Sequence, residues 1–242
     1  MIKQSDNLIY GRNPVKEALR ADRVLKVYLS NSFADKTILD LIRDKHISVI
    51  NVSNKELDAT CPGVHQGCAA ETKGYSYASF EQILLAAKKE TRPIVVLLDG
   101  INDPHNLGAI LRSCDVFGVC GVIMPKHNQV MLNATVAKTS AGAINFVPVA
   151  LVSNLNNAIK TLKENGFWIV ASDGSGKDNF QEVKYDFPTA LVVGSEGQGV
   201  SQLVLKNSDF IVKIPMYGKV NSLNASVAAG IFLAEIKGAS SK

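Results

Sequence analysis

Residues 94–118 read IVVLLDGINDPHNLGAILRSCDVFG, and this stretch sets the layering of the chain. The run Ile94 to Leu98 is β-branched and apolar, which is a strand signal. Asp103, Pro104 and His105 make a turn, and a helix is expected from near Asn106. Leu107, Ile110, Leu111 and Cys114 then recur at helical spacing, so one face packs against a sheet. Arg112 lies well away from that stripe. The same alternation continues outward, with strands expected near Val119–Met124, Phe146–Val149, Phe167–Ala171, Ala190–Val193 and Ile211–Ile214. Helical patterns separate them, so the sheet is expected to be largely parallel and the class α/β.

Toward the N-terminus the elements are shorter. Asn13 and Pro14 are expected to open a helix running to about Arg20. A strand Val24–Ser30, a helix near Asp35–Lys45, the strand ISVINVS and a short helix Asn54–Ala59 follow. Gly67 to Glu71 is expected to close this unit as a strand, giving a three-layer domain over residues 1–72. Ser79 and Gln82 form a capping box for a helix that Thr91, Arg92 and Pro93 break. Residues 73–92 are read as a linker, and 93–242 as the larger domain.

Composition narrows the function classes. Hydrophobic residues make up 46% of the chain and charged residues 20%, an ordinary globular balance. The longest apolar run, Ala225 to Ala234, is interrupted by Ser226 and Gly230, so no membrane span is expected. The opening MIKQSDNLIYG has no apolar segment after its lysine and does not read as a secretory signal. Cys61, Cys68, Cys114 and Cys120 lack CxxC spacing and are read as reduced thiols of a cytoplasmic protein. Residues 1–92 hold 14 Lys+Arg against 11 Asp+Glu, and 93–242 hold 12 against 11. The first part is therefore the more basic, a balance compatible with RNA contact though not specific to it.

Three loops follow strands, at the edge where open α/β sheets bind ligands. The first contains Asn106 and Arg112, the only arginine after residue 92. A planar guanidinium suits phosphate or carboxylate recognition, and a surface salt bridge is the equally weighted alternative. The second, LVVGSEGQGVS (191–201), carries Gly194, Gly197 and Gly199. Its order is not the dinucleotide fingerprint, and no Walker sequence occurs. Glu196 would repel a phosphate and suits a cationic or hydroxyl-bearing ligand; a helix-start acid is the plainer reading. The third, IPMYGKVNSLNASVAAGIFLAEI (214–236), leads into a helix that is apolar all round. Leu223, Val227, Ile231 and Ala234 cover one side and Ala225, Ala228 and Phe232 the other, so a wrapped chain or a subunit partner is expected.

In order and spacing, DPHNLGAILRS, VVGSEGQG and IPMYGKVNSLNASVA resemble the three motifs of the SpoU/TrmH family of S-adenosylmethionine-dependent RNA ribose methyltransferases. IYGRNPVKEAL and GVHQG resemble that family's L30e-like substrate-binding domain, so nearly the whole chain is covered. The likeness is greatest to the RlmB type, the guanosine 2′-O-methyltransferases of 23S rRNA. Cys114, where Ala is expected, is a small departure. The resemblance implies a SPOUT fold with a deep trefoil knot, a feature near-absent among proteins generally. It also implies a homodimer, S-adenosylmethionine as cofactor and no metal.

By the same resemblance, Asn106, Arg112, Glu196, Ser222 and Asn224 are the catalytic candidates. Gly194, Gly199, Ile214, Met216 and Leu223 are the cofactor-binding candidates, with Ile214 and Leu223 about the adenine; core packing is the alternative for that pair. Arg112 would handle the substrate phosphate and help activate the ribose hydroxyl, as an orienting cation rather than a free base. A tRNA guanosine 2′-O-methyltransferase and a non-catalytic RNA-binding protein are the alternative functions.

Overall fold

The computed structural model describes residues 8–239. Residues 1–7, where the expectation about a secretory signal falls, lie outside that range. The chain divides into two compact units. One runs up to Ser76 and includes Leu132–Asn145; the other comprises Tyr77–Met131 and the chain from Phe146.

The first unit contains β1 (Leu8–Tyr10), α1 (Arg12–Arg20), β2 (Val24–Ser30), α2 (Lys36–Asp44), β3 (Ser48–Val52), α3 (Asn54–Thr60) and β4 (Cys68–Thr72). Its sheet has the order β1-β4-β2-β3, in which only the β2–β3 pair is parallel. Leu57 of α3 joins Leu8, Tyr28 and Val52 in one buried cluster. Asp35 caps α2, and Ser53 with Glu56 forms a capping box on α3.

The start of α1 differs from expectation. Gly11, at φ +94°, is the cap residue, and Asn13 and Pro14 lie inside the first turn. Glycine reaches that left-handed conformation without steric cost, so it turns the chain from β1 into the helix. The acceptor that a capping side chain would supply comes instead from Gln66, whose Oε1 takes the Arg12 amide at 2.9 Å.

The second unit contains α4 (Phe80–Ala87), β5 (Ile94–Asp99), α5 (Pro104–Val116) and β6 (Gly121–Pro125). After α6 (Ala134–Thr139), which belongs to the first unit, come β7 (Val149–Val152), α7 (Leu155–Glu164), β8 (Trp168–Ser172) and β9 (Asp178–Asn179). The chain ends with β10 (Thr189–Gly194), α8 (Gln202–Asn207), β11 (Phe210–Lys213) and α9 (Ala225–Ala239). The strand order is β7-β6-β5-β10-β8-β11-β9, and each of the six pairings is parallel. Val95 to Leu98 and Ala190 to Val192 are wholly buried, because helices cover both faces of the central strands. Each of the valines and leucines among them stabilises the fold by roughly 1.5–3 kcal/mol relative to exposure.

Two local differences stand out. The stretch read as a linker contains the unit boundary at Ser76, and α4 beyond it is part of the second core through Ile83 and Ala87. Its capping box of Ser79 and Gln82 forms as expected. Strand β7 begins at Val149 rather than Phe146, because Pro148 has no N–H for the ladder. Among the described residues no helix is long and apolar enough to cross a membrane.

Candidate active site

The sheet registers set the site. Gly194 pairs with Asp99, Val193 with Ser172, and Ser172 with Val212, so four strand ends lie side by side. The loops after β5, β8, β10 and β11 therefore share one edge.

At that edge the three sequence motifs meet. Asp103 caps α5, its carboxylate accepting the His105 amide at 2.8 Å, and Pro104 occupies the first turn. This fixes Asn106, a buried polar residue at 8% exposure, in the turn that follows. Asn106 Nδ2 donates to Glu196 Oε1 at 2.8 Å. Asn224 Nδ2 donates to Asn106 Oδ1 at 2.9 Å and also to Glu196 Oε1. The Oδ1 of Asn224 accepts from the amide and hydroxyl of Ser226 at 3.0 and 2.6 Å, which caps α9. One carboxylate thus ties together residues 118 positions apart in the chain. Both asparagine amides are oriented by what they bond.

Beside this cluster is a cavity of about 680 Å³. Gly194, Glu196 and Gly199 line it from the loop after β10, and Ile214, Met216, Ser222 and Leu223 from the segment after β11. The five residues proposed for cofactor contact thus share one cavity. The structure also brings in Asp173, Lys213 and Phe232, which sequence reading did not identify. They sit at the end of β8, the end of β11 and on α9, and only the sheet order makes them neighbours. Arg112 does not line this cavity. It is exposed on α5, with no ion pair or hydrogen bond among the described residues. Ser222 is exposed at the cavity wall.

Glycines permit the backbone geometry here. A Cβ on Gly194 would lie 2.1 Å from the Gly199 carbonyl carbon and 2.4 Å from the Val200 nitrogen, because the loop folds back on itself and the Gly199 amide donates to the Ser195 carbonyl at 3.0 Å. Gly199 is at φ +66°, and a Cβ there would lie 2.7 Å from Asp173 Oδ2. Partial burial pushes the Asp173 carboxyl up. Hydrogen bonds from the Ser175 hydroxyl and amide and the Val200 amide outweigh this and hold it below the usual carboxylate range.

The cavity can accept a nucleoside-sized molecule, and its lining combines apolar side chains such as Ile214 and Leu223 with the carboxylates of Asp173 and Glu196. The buried thiol of Cys114, on the packed face of α5, is held neutral by desolvation, so the departure from Ala adds no nucleophile.

Comparison with known proteins agrees with this arrangement. The family model described as SpoU rRNA Methylase matches residues 93–234, and that described as RNA 2′-O ribose methyltransferase substrate binding matches residues 8–78. The Bacillus subtilis protein YacO, assigned to the TrmH family of tRNA/rRNA methyltransferases, is 40% identical over 240 residues, covering 97% of this chain and 96% of that protein. A Staphylococcus haemolyticus protein with the same assignment is 44% identical over 236 residues, covering 96% and 95%. The fold is that of the SpoU methyltransferase AviRb from Streptomyces viridochromogenes, solved with AdoMet. Its TM-score is 0.82 at 23% identity, with 96% of this chain and 89% of that chain covered. The A. aeolicus TrmH/SpoU tRNA modifying enzyme is 34% identical with a TM-score of 0.57, covering 66% of this chain and 82% of that one. With most of its length matched by these two models and by relatives above 40% identity, the chain belongs to the SpoU family of RNA 2′-O-ribose methyltransferases.

Proposed function

We propose that this protein methylates the ribose 2′-hydroxyl of a guanosine in 23S rRNA, with S-adenosylmethionine as donor. The observation that carries the reading is the convergence of Asn106, Glu196 and Asn224 beside a glycine-walled cavity. The cavity fits the donor: Gly194 and Gly199 keep side chains out of one wall, and Ile214 and Leu223 offer apolar surfaces for a purine. When bound, S-adenosylmethionine supplies a methyl already activated on a sulfonium, so the chain's own task is to prepare the nucleophile.

A ribose hydroxyl is a poor nucleophile until its proton is taken or strongly hydrogen-bonded. Glu196 holds the two asparagines rigid, and Ser222 presents a hydroxyl at the cavity wall for a further hydrogen bond. Arg112, free of internal partners, is assigned to the RNA phosphate, where a fixed cation orients the ribose. The trefoil threading is carried over from the family resemblance. In α9, Val227 and Ala234 are exposed while Phe232, Leu233 and Ile236 are buried. That uncovered apolar face supports a homodimer. Four free cysteines support a cytoplasmic location.

The catalytic residues do not distinguish rRNA from tRNA, since ribose chemistry is indifferent to the surrounding RNA. What supports rRNA is the additional substrate-binding unit, because the likeness to the tRNA-modifying enzyme covers only 66% of the chain. Discrimination then rests on RNA shape and unstacked loop bases. The test compares ribose-methylation maps of total RNA with and without the gene. Loss of one 23S rRNA guanosine mark is expected; a lost tRNA mark with 23S rRNA unchanged would transfer the assignment to tRNA.

A further inference from the structure

We infer that Asp173 is a specificity-determining residue, giving the cavity its preference for the cationic methyl donor over the neutral product left after transfer. The inference rests on the reading of the cavity as the S-adenosylmethionine site.

Asp173 stands at the C-terminal end of β8, where its amide donates to the Val212 carbonyl at 3.0 Å. Its two carboxylate oxygens are used unequally. Oδ1 accepts both the Ser175 amide at 2.9 Å and the Ser175 hydroxyl at 2.6 Å. Oδ2 receives only the long 3.4 Å contact from the Val200 amide. That oxygen lies against Gly199, where a Cβ would come within 2.7 Å of it. The missing side chain at 199 therefore lets a carboxylate with spare acceptor capacity reach the cavity wall.

Charge bookkeeping gives the consequence. The charged residues lining the cavity are Asp173, Glu196 and Lys213, a net lining charge of −1. Glu196 has one oxygen occupied by the two asparagine amides. Asp173 is the other anion, and no asparagine or cationic side chain is bonded to it. At neutral pH S-adenosylmethionine carries an ammonium, a carboxylate and a sulfonium, for a net charge of +1. S-adenosylhomocysteine keeps the first two and is neutral overall. The two ligands otherwise differ only by the methyl itself, so the change in their affinity ratio on removing the Asp173 charge isolates its effect on the sulfonium. An anion in the lining favours the donor before transfer and loses that attraction once the charge has gone, which assists product exchange.

The test is titration calorimetry of the full chain with each ligand separately. In Asp173→Asn the preference for S-adenosylmethionine over S-adenosylhomocysteine should fall on the order of tenfold, mostly through weaker donor binding. Lys213→Met, which removes the cation from the same lining, should raise that preference. Equal weakening of both ligands in Asp173→Asn would make the residue a loop support only and overturn the inference, as would an unchanged ratio. If Asp173→Asn does not fold, by its melting curve, the Lys213→Met ratio decides, and no change there overturns the inference. Failure of the wild-type protein to bind either ligand is a different result: it removes the donor-site reading itself, and the inference with it.

Discussion

Replacing Gly194 by alanine probes the tight turn of residues 194–200 that lines the cavity. The added Cβ would lie 2.1 Å from the Gly199 carbonyl carbon, 2.2 Å from its oxygen and 2.4 Å from the Val200 nitrogen. Ordinary carbon contacts need about 3.5 Å, so one segment must move by more than about 1 Å. The obstructing atoms are backbone, and no rotamer change can relieve them. Overpacking of this kind costs up to about 3 kcal/mol. For a protein of this size that corresponds to a melting temperature lower by roughly 6–12 °C. Gly197 is the internal control: it lies in the same loop, and a Cβ there meets nothing within 4 Å. Gly197→Ala should therefore stay within about 0.5 kcal/mol of wild type. The assay is thermal unfolding followed by circular dichroism, with S-adenosylmethionine titrated into each variant at 20–25 °C. Gly194→Ala should lose stability and donor affinity together. A Gly194→Ala protein melting within about 2 °C of wild type, with normal donor binding, would refute the reasoning from the turn.

Three further outcomes are expected. Arg112→Lys should lose most methyl transfer to RNA, measured with tritiated S-adenosylmethionine, while donor affinity by calorimetry stays near normal; near-wild-type turnover would remove its assigned role. Val227→Glu places a charge on the apolar face of α9, where Val227 is 49% exposed in a single chain. A dimer built on that face should dissociate to monomer by light scattering, whereas a wild-type protein of monomeric mass would refute the dimer. Because the Asp173 carboxyl is held below its ordinary value, its stabilising contribution is present above the unfolded pKa of about 3.9 and is lost as pH falls through the lower folded value. Denaturant titrations between about pH 5 and 2.5 should show wild type losing more stability than Asp173→Asn over that window, and parallel curves would contradict the assignment.

What the sequence makes legible is what local periodicity encodes. The strand read at Val24–Ser30 coincides with β2, and the stripe Leu107, Ile110, Leu111 and Cys114 is wholly buried. Elements with no period of their own escape such reading: β1 has three residues and β9 two. The segment Leu132–Asn145 escapes for another reason. It lies between β6 and β7 in the chain, yet it groups with the first unit, where α6 packs near β1. Nothing in its own pattern names so distant a partner. Likewise α4 reads as part of a linker because the sequence around it is polar, although Ile83 and Ala87, with Phe80 and Leu84 partly buried beside them, seat it in the second core.

The site divides along the same line. Asn106, Glu196 and Asn224 are legible because each lies in a motif that carries the family resemblance, and these motifs follow strands whose ends share one edge of a parallel sheet. Asp173 and Lys213 lie at strand ends too, but β10 inserts between β5 and β8, and β8 pairs on its far side with β11. Strand order is a long-range property, so no spacing along the chain announces that Asp173 and Gly199 are neighbours. The last helix makes the opposite point. Its all-round apolar surface is plain in the sequence, and the structure buries only the side bearing Ala229, Phe232, Leu233 and Ile236. Burial within one chain does not account for Val227 and Ile231 being apolar as well. In the homodimer proposed above, a second copy would cover those positions.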